Sequence, residues 1–336
     1  MTNAATFTQE NQLEERLTTH IATFWQTGNF ASFQGIKNRR INYASFIKSH
    51  ATQCLVISPG RSEGYLKYKE LAFDLSQLNI SIFIIDHRGQ GLSERLLTNS
   101  HKGYVENFDD YADDLHTFIN TIISPNCLPE KKPLLLAHSM GGAIATRLMQ
   151  KYPNDLAAAL ISSPMIGIDT GGLPDWLAKT IINSGQFLNQ LFANQAWYFI
   201  GQNDYQANEF ENNALMQSQV RYQTFLDLYQ EYPQLQLGGV TINWLKEALS
   251  AQNNIFAELA KISTPITIMQ AGDDNVVDNQ AQNDFCQQLH QLNASLCQQK
   301  RPYIIKGAKH ELFFESDKYR NQALTYTFDW IKSHTD

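Results

Sequence analysis

The sequence predicts an α/β protein with a mostly parallel central sheet that is flanked by helices. Short, continuous apolar runs alternate with helical patterns along much of the chain, and such runs are typical of strands buried on both faces. Of the 336 residues, 43% are hydrophobic and 18% are charged, as in ordinary globular proteins. This length exceeds the size at which one compact core keeps growing, so an insertion or a second domain is expected.

The predicted elements follow one another in a regular order from the N-terminus. Apolar residues at three- and four-residue spacings predict an amphipathic helix over residues 10 to 27, and β-like stretches follow at residues 31 to 36 and 39 to 47. Helices are then predicted at residues 65 to 78 and 108 to 123 and in "AIATRLMQKYP". Between and after them lie the buried strands, in "TQCLVISPG", "ISIFIIDHRGQG", "PLLLAHSMGG", "LAAALISSPM", "TPITIMQAGDD" and "PYIIKGAKH".

The alternation breaks between residues 165 and 262, where helical spacings occur with many Asn and Gln and no buried-strand run. We therefore expect a discontinuous core, residues 1 to 164 and 263 to 336, with a helical cap inserted at residues 165 to 262. An insertion after the carboxyl end of a strand lies over the edge where open α/β sheets hold their sites.

Charge and hydropathy exclude several kinds of partner. The net charge of −7 argues against nucleic-acid binding, which needs clustered Lys and Arg. No apolar run reaches the ~18 to 20 residues that span a bilayer, so any contact with a membrane would be peripheral. The N-terminal stretch does not resemble a secretory signal, and we therefore expect a cytoplasmic protein, with peripheral contact on the cytosolic face of the inner membrane as a further option.

The cysteines predict neither a metal site nor a disulfide. They are scattered, without a C-x-x-C pair or an accompanying histidine cluster, at Cys54, Cys127, Cys286 and Cys297. We expect them to be reduced and mostly buried.

One stretch, "LLLAHSMGGAIA" at residues 134 to 145, predicts a strand, a sharp turn and a helix that present a nucleophilic serine, Ser139. The usual pattern is G-x-S-x-G, and here Ala137 replaces the first glycine while Gly141 is retained. We interpret His138 and Gly141 as residues of a relaxed elbow in which the helix packs on the strand with one extra methyl. The competing interpretation is that Ser139 only caps the helix.

A serine nucleophile needs a base and a group that orients the base, and the chain supplies both in one order. Asp273 or Asp274 follows the strand "ITIMQ", and His310 follows the strand near "YIIKG". On a parallel sheet these side chains and Ser139 emerge at the same edge. The order serine, acid, histidine is that of the α/β-hydrolase motif. Such a site requires no metal or other cofactor.

Two amide donors are expected to bind the oxyanion that forms when an acyl group is transferred. One is the N–H of Met140, at the start of the helix after the serine. The other is the N–H of Arg61, which the turn at Pro59 and Gly60 would direct into the site. The Arg61 guanidinium either stays in solvent or meets an anionic head group.

Five stretches together resemble the α/β-hydrolase family that contains the monoglyceride lipases and, more closely, the bacterial lysophospholipases of the L2 type: "CLVISPGR", "IIDHRGQGLS", "AHSMGGAI", "QAGDDNVVDN" and "IKGAKHELFFE". The resemblance implies an α/β-hydrolase fold and a serine esterase that cleaves the acyl ester of a lysophospholipid, with possible acyl transfer to another lipid. Its G-x-x-D pattern favours Asp274 as the acid, with Asp273 as the alternative. Residues 59 to 63 lack the His and second Gly of the H-G-x-G-E loop, which argues against a plain monoglyceride lipase. We interpret "DHRGQGLS" as a structural loop.

A single-chain lipid needs an apolar tunnel, and aromatic residues of the predicted cap are candidates to line it, namely Trp176, Phe187, Phe192 and Trp197. The same residues could instead pack the core of the cap or contact a membrane surface. Alternative functions are a monoacylglycerol lipase, a thioesterase, a proline-iminopeptidase-like peptidase, or an inactive hydrolase fold that binds a ligand. The oligomeric state is open.

Overall fold

A single mixed sheet is the framework of the molecule. The computed structural model describes residues 6–167, 175–193 and 195–335, apart from the side chains of residues 175–179, 181 and 190. The strands in these ranges are Asn29–Gln34 (β1), Arg40–Phe46 (β2), Gln53–Ser58 (β3), Ile80–Ile85 (β4), Leu134–His138 (β5), Ala158–Ser162 (β6), Ile266–Ala271 (β7) and Tyr303–Ile305 (β8). They lie in the order β1-β2-β4-β3-β5-β6-β7-β8.

The strand directions confirm the predicted fold class. The pairs β1–β2 and β2–β4 are antiparallel. Every later pair, from β4–β3 to β7–β8, is parallel. The carboxyl ends of β3 to β8 therefore meet at one edge of the sheet, where the loops that follow them come together.

Helices connect the strands and cover both faces of the sheet. In the described ranges they are Leu13–Thr18 (α1), His20–Trp25 (α2), Lys69–Leu75 (α3), Asp109–Phe118 (α4), Met140–Lys151 (α5), Asp175–Phe192 (α6), Gln219–Glu231 (α7), Ile242–Ala257 (α8), Asn279–Leu292 (α9) and Asp317–Lys332 (α10). The one helix predicted at residues 10 to 27 is two helices separated at Thr19. The hydroxyls of Thr18 and Thr19 both donate to the Glu15 carbonyl and compete with the helical pattern there.

The core consists of two apolar layers, one on each face of the sheet. Alternate residues of β3 divide between them, since Val56 faces the layer of α4, α5, α8 and α9, whereas Leu55 and Ile57 face the layer of α3 and α10. All residues of β3, β4, β5 and β6 are buried. Each fully buried Leu, Ile or Val side chain contributes about 1.5–3 kcal/mol to the stability of the fold. The packing of these strands therefore fixes the position of the carboxyl edge of the sheet.

The segment between β6 and β7 contains α6, α7 and α8. In its described residues the β-structure is limited to two isolated bridges, Gly103 with Val240 and Tyr198 with Thr241. The helix α8 packs on α5 and places Trp244, Ala248 and Ile255 in the core layer. The domain boundaries at residues 165 and 262 stay a prediction.

The cysteines differ from the expectation of reduced side chains, which was wrong. Cys54 and Cys127 are bonded with Sγ–Sγ 2.07 Å, and Cys286 and Cys297 are bonded with Sγ–Sγ 2.14 Å. The first pair joins β3 to the segment after α4, 73 residues away. Their spacing along the sequence did not reveal this pairing, because the fold alone brings the two Cα atoms within 5.9 Å.

Candidate active site

Ser139 lies in a strained turn between β5 and α5. Its backbone has φ 50° and ψ −117°, a conformation that a non-glycine residue adopts only when the surrounding structure imposes it. The side chain makes no capping hydrogen bond to the helix, so the interpretation of Ser139 as a helix cap is not supported. The turn instead presents the hydroxyl beyond the carboxyl edge of the sheet.

The two small residues around Ser139 fit the turn differently. A Cβ at Gly141 would lie 2.1 Å from the Ser58 carbonyl oxygen and 2.5 Å from that of Pro59. Gly141 is therefore required where α5 starts against the loop after β3. Ala137 is 1% exposed and its methyl packs in the core layer with Met140, so the departure from glycine is accommodated inside the strand.

Ser139, His310 and Asp274 form a hydrogen-bonded triad. His310 Nε2 lies 2.9 Å from Ser139 Oγ, and His310 Nδ1 lies 2.8 Å from Asp274 Oδ2. The Asp274 and His310 side chains are 0% and 3% exposed. Burial opposes ionisation of Asp274, but the bonds from His310 and from the amides of Val276 and Val277 lower its pKa below the ordinary value. In this triad the Ser139 hydroxyl can transfer its proton to the His310 imidazole, which Asp274 orients.

Asp273, the alternative acid, lies elsewhere. Asp273 is exposed, its backbone amide donates to the Ala308 carbonyl, and its side chain makes no hydrogen bond to His310. The geometry thus favours Asp274 over its neighbour.

The two backbone amides predicted to bind the oxyanion have no acceptor among the described residues. The N–H groups of Met140 and Arg61 donate no hydrogen bond to any residue that the structure describes. The preceding turn is fixed, because the Gly60 amide donates to Glu63 Oε2 at 2.5 Å and Gln90 Nε2 donates to the Gly60 carbonyl at 2.7 Å. Met140 also begins α5, where the helix dipole favours negative charge. These amides can serve as an oxyanion hole.

A buried charge cluster, not expected from the sequence, joins the oxyanion loop to the histidine loop. Lys67 Nζ donates to Glu63 Oε1 at 2.7 Å and to Glu311 Oε1 at 2.7 Å. Burial opposes ionisation of Glu63, but the charges of Lys67 and His138 lower its pKa to about 2. The i,i+4 spacing of Glu63 and Lys67, and the position of Glu311 next to His310, were the visible signals in the sequence.

His138 lies beside this cluster and beside the catalytic imidazole. The His138 and His310 ring centroids are 4.8 Å apart, and burial lowers the pKa of His138 to about 4, so its ring is neutral at pH 7. Glu63, His138 and Glu311 have ligand atoms close enough to surround a cation. The Lys67 ammonium already binds both carboxylates, so the donor set fits a lysine and not a metal ion.

A cavity of about 470 Å³ adjoins these residues. Its wall includes Arg61, Glu63, Lys67, Asp204, Tyr229 and Glu311. Three of the aromatic residues predicted to line a lipid tunnel, Phe187, Phe192 and Trp197, do not belong to this wall. Phe187 and Phe192 are 60% and 73% exposed on α6, Trp197 is 39% exposed, and the side chain of Trp176 lies outside the described residues.

Comparisons with known proteins agree with this arrangement. The chain matches the Hydrolase_4 family, described as serine aminopeptidase S33, over residues 49–317. It is 36% identical to lysophospholipase L2 of Escherichia coli strain K12, with 97% of this chain and 94% of the relative covered. It is 31% identical to a probable lysophospholipase L2 of Haemophilus influenzae, with 86% and 88% covered.

A solved structure supports the same fold. The chain resembles a soluble variant of monoglyceride lipase from Saccharomyces cerevisiae with a TM-score of 0.66 at 16% identity, over 92% of this chain and 95% of that one. With a family match over most of its length, a mostly parallel mixed sheet and relatives along nearly the whole sequence, this chain belongs to the Hydrolase_4 (serine aminopeptidase S33) family of α/β hydrolases.

Proposed function

We propose that this chain is a serine esterase that hydrolyses the acyl ester of lysophospholipids through an acyl-enzyme. The main evidence for this chemistry is the triad Ser139–His310–Asp274, with distances of 2.9 and 2.8 Å, together with the Met140 and Arg61 amides, which donate to no described residue. The substrate class comes from the 36% identity to lysophospholipase L2 over nearly the whole chain.

In the first half of the reaction His310 Nε2 takes the Ser139 proton while Oγ attacks the ester carbonyl carbon. The amides of Met140 and Arg61 stabilise the oxyanion, and loss of one such donor typically costs about 3 kcal/mol. Asp274 holds the imidazole in the tautomer that accepts this proton and stabilises the imidazolium. His310 then protonates the leaving glycerol oxygen.

In the second half water replaces the glycerophospho compound. His310 removes a proton from the water, which attacks the acyl-enzyme and releases the fatty acid and free Ser139. Another lipid alcohol can take the place of water in the same geometry, so acyl transfer is expected as a secondary activity.

An aminopeptidase is the second candidate, because the family's description names one. A peptidase of this kind must bind a free α-ammonium, and carboxylates are the natural acceptors. The two buried carboxylates next to the site, Glu63 and Glu311, are already bound by Lys67. This argues for an uncharged or anionic substrate group at this position. A monoacylglycerol or a thioester would fit the same triad.

The decisive experiment combines a fluorophosphonate probe with a substrate panel. The wild type should be labelled, and Ser139→Ala should lose the label and roughly a millionfold in kcat. The panel contains lysophosphatidylethanolamine, a monoacylglycerol, an acyl thioester and a proline amide. A preference for the amide would refute the lipid assignment, and a folded wild type that takes no label would indicate an inactive ligand-binding fold.

We also propose that the segment from 165 to 262 is a cap that contacts a membrane surface through α6. The exposed apolar side chains follow helical spacing on α6 and continue after it, namely Phe187, Leu188, Leu191, Phe192 and Ile200. No helix in the described part of the chain has the length and apolarity to cross a bilayer. With a net charge of −7, we expect apolar contact, and not attraction to anionic lipids, to supply most of the binding.

Vesicle sedimentation tests this contact. Phe187→Ser with Phe192→Ser should lower the fraction bound to phosphatidylethanolamine vesicles several-fold, whereas Leu292→Ser, at an apolar position on α9 that is 54% exposed, should not. Equal loss in both variants would contradict a docking face on α6.

The disulfides bear on the cellular location. Cytosolic thiol systems keep such pairs reduced, so the predicted cytoplasmic location requires free thiols in the cell. Alkylation of cells lysed directly into denaturant, which exposes the buried cysteines, distinguishes the two cases: labelling of all four cysteines would support the cytoplasm, and labelling of none would support an oxidising compartment.

A further inference from the structure

Among the residues that the structure describes, Arg61 is a partly buried cation without a carboxylate partner. Its Nη2 donates to the Gly238 carbonyl oxygen, while Nε is buried with no acceptor. Nη1 donates no hydrogen bond to any residue that the structure describes. The guanidinium lies over the Trp244 ring, 5.5 Å from its centroid. Most of the five N–H donors of this side chain are therefore unused.

In the described part of the chain, no neighbouring group supplies a negative charge to Arg61. The titratable groups that influence Arg61 are Tyr111 and Tyr198, which are neutral at pH 7, and burial lowers the pKa of Arg61 to about 10. The acidic residues of the cavity wall have other partners, because Glu63 and Glu311 share Lys67. Asp204 accepts from the Tyr198 hydroxyl and from Asn99 Nδ2.

The position of this cation relates it to the reaction. The Arg61 amide is the proposed oxyanion donor, and its side chain lines the 470 Å³ cavity together with Glu311, the residue after His310. The wall contains neither Ser139 nor His310, so the part of the substrate assigned to this cavity is the alcohol portion beyond the ester and not the ester itself. In a lysophospholipid the glycerol unit separates the ester from a phosphodiester, and a guanidinium pairs with two phosphate oxygens at once.

We propose that the Arg61 guanidinium binds the phosphodiester of the lysophospholipid head group and selects this substrate over an uncharged monoacylglycerol. The inference rests on the proposed function and adds a specificity-determining residue to it. The bound phosphate supplies the counter-charge that the folded chain lacks around Arg61.

A structural role for Arg61 is the competing explanation, and the chain offers a control for it. Arg95 also donates to a cap carbonyl, with Nη2 at 2.6 Å from the Gln234 oxygen. Unlike Arg61, it lies within the electrostatic influence of a carboxylate, Asp86, and is absent from the cavity wall. Substitution of Arg95 therefore removes a side-chain hydrogen bond to the proposed cap without removing the guanidinium that is proposed to bind phosphate.

The test compares lysophosphatidylethanolamine with a monoacylglycerol of the same short acyl chain, both below the concentration at which they form micelles. For Arg61→Gln we expect the ratio of the two kcat/KM values to fall by about 10- to 100-fold, mainly through KM for the lysophospholipid. Arg61→Lys, which keeps the charge, should recover part of this ratio. Arg95→Gln should keep the wild-type ratio.

Three outcomes would overturn the inference. One is an equal loss on both substrates in Arg61→Gln, which would assign Arg61 to the oxyanion loop or to a hydrogen bond with the proposed cap. Another is an equal change of the ratio in Arg95→Gln. The third is inhibition by inorganic phosphate as strong as that by glycerophosphoethanolamine, which would indicate a site for a free anion. Failure of the proposed function gives a different result: the wild type would hydrolyse no lysophospholipid at all, which is measured without any variant.

Discussion

Two arginines in loops after neighbouring strands show how differently this molecule holds buried charge. Arg88, after β4, bonds Asp114 Oδ2 at 2.6 Å and Asp110 Oδ2 at 3.1 Å. Arg61, after β3, bonds one carbonyl oxygen and no carboxylate. Removing a charge from water costs several kcal/mol unless partners compensate it. The compensated charge of Arg88 stabilises the scaffold, whereas the charge of Arg61 is the one for which we propose a phosphate ligand.

The largest expected effect concerns a third buried charge, Asp274, which acts on the chemistry itself. Asp274→Asn should lower kcat by about 10⁴-fold, because the amide favours the wrong imidazole tautomer. Asp273→Asn is the matched control, since its side chain is exposed and makes no bond to His310. Steady-state hydrolysis of a short-chain ester measures both. A larger loss in Asp273→Asn would exchange the roles of the two residues.

The next effect tests the two arginines directly. Arg88→Met should lower the free energy of unfolding by about 3–5 kcal/mol, because Asp110 and Asp114 lose their buried partner. Arg61→Met should change it by less than about 1 kcal/mol without substrate, since no carboxylate is left unpaired. Urea unfolding of both variants gives these values. Equal destabilisation by the two substitutions would contradict the distinction between a charge that stabilises the fold, at Arg88, and a charge that binds substrate, at Arg61.

The smallest effect is a pH dependence in the same loop as Arg88. His87 is fully buried, with Nε2 2.9 Å from Ser58 Oγ, and burial lowers its pKa from 6.5 to about 3. Because the unfolded chain binds this proton below pH 6.5 and the folded chain does not, the stabilisation is complete above pH 6.5 and is lost as the pH falls toward 3. Between pH 7 and pH 4 the loss is about 3 kcal/mol.

Unfolding at several pH values checks this contribution. His87→Gln should flatten the fall in stability between pH 7 and pH 4, whereas His20→Gln, at an exposed position, should leave it unchanged. An unchanged slope in His87→Gln would mean that other groups account for the acid sensitivity.

The sequence was informative wherever local pattern and the rules of parallel sheets decide the outcome. Ser139, Asp274 and His310 each follow an apolar strand, and parallel strands bring their carboxyl ends to one edge, so their proximity could be predicted. The turn at Ser139 could be predicted as well, because Gly141 marks the close approach of α5 to the loop after β3.

Features that depend on distant side chains could not be predicted in this way. The bond between Cys54 and Cys127 and the contact of Lys67 with Glu311 join residues far apart in the sequence. The hydrogen bond of the Arg61 guanidinium joins it to the Gly238 carbonyl, in the segment between β6 and β7. That segment lacks the strand pattern that fixes register, so the sequence could not distinguish whether Phe187 and Phe192 line a tunnel, pack inside the cap or contact a membrane surface; both lie exposed on α6.

The most direct test of the central claim is to observe the acyl-enzyme itself. The wild type is mixed with lysophosphatidylethanolamine of one defined acyl chain, quenched in acid and digested, and the peptides are analysed by mass spectrometry. We expect the mass of that acyl group on the peptide that contains Ser139, and no such peptide from Ser139→Ala. An acyl group on another residue, or normal release of fatty acid by Ser139→Ala, would contradict the account.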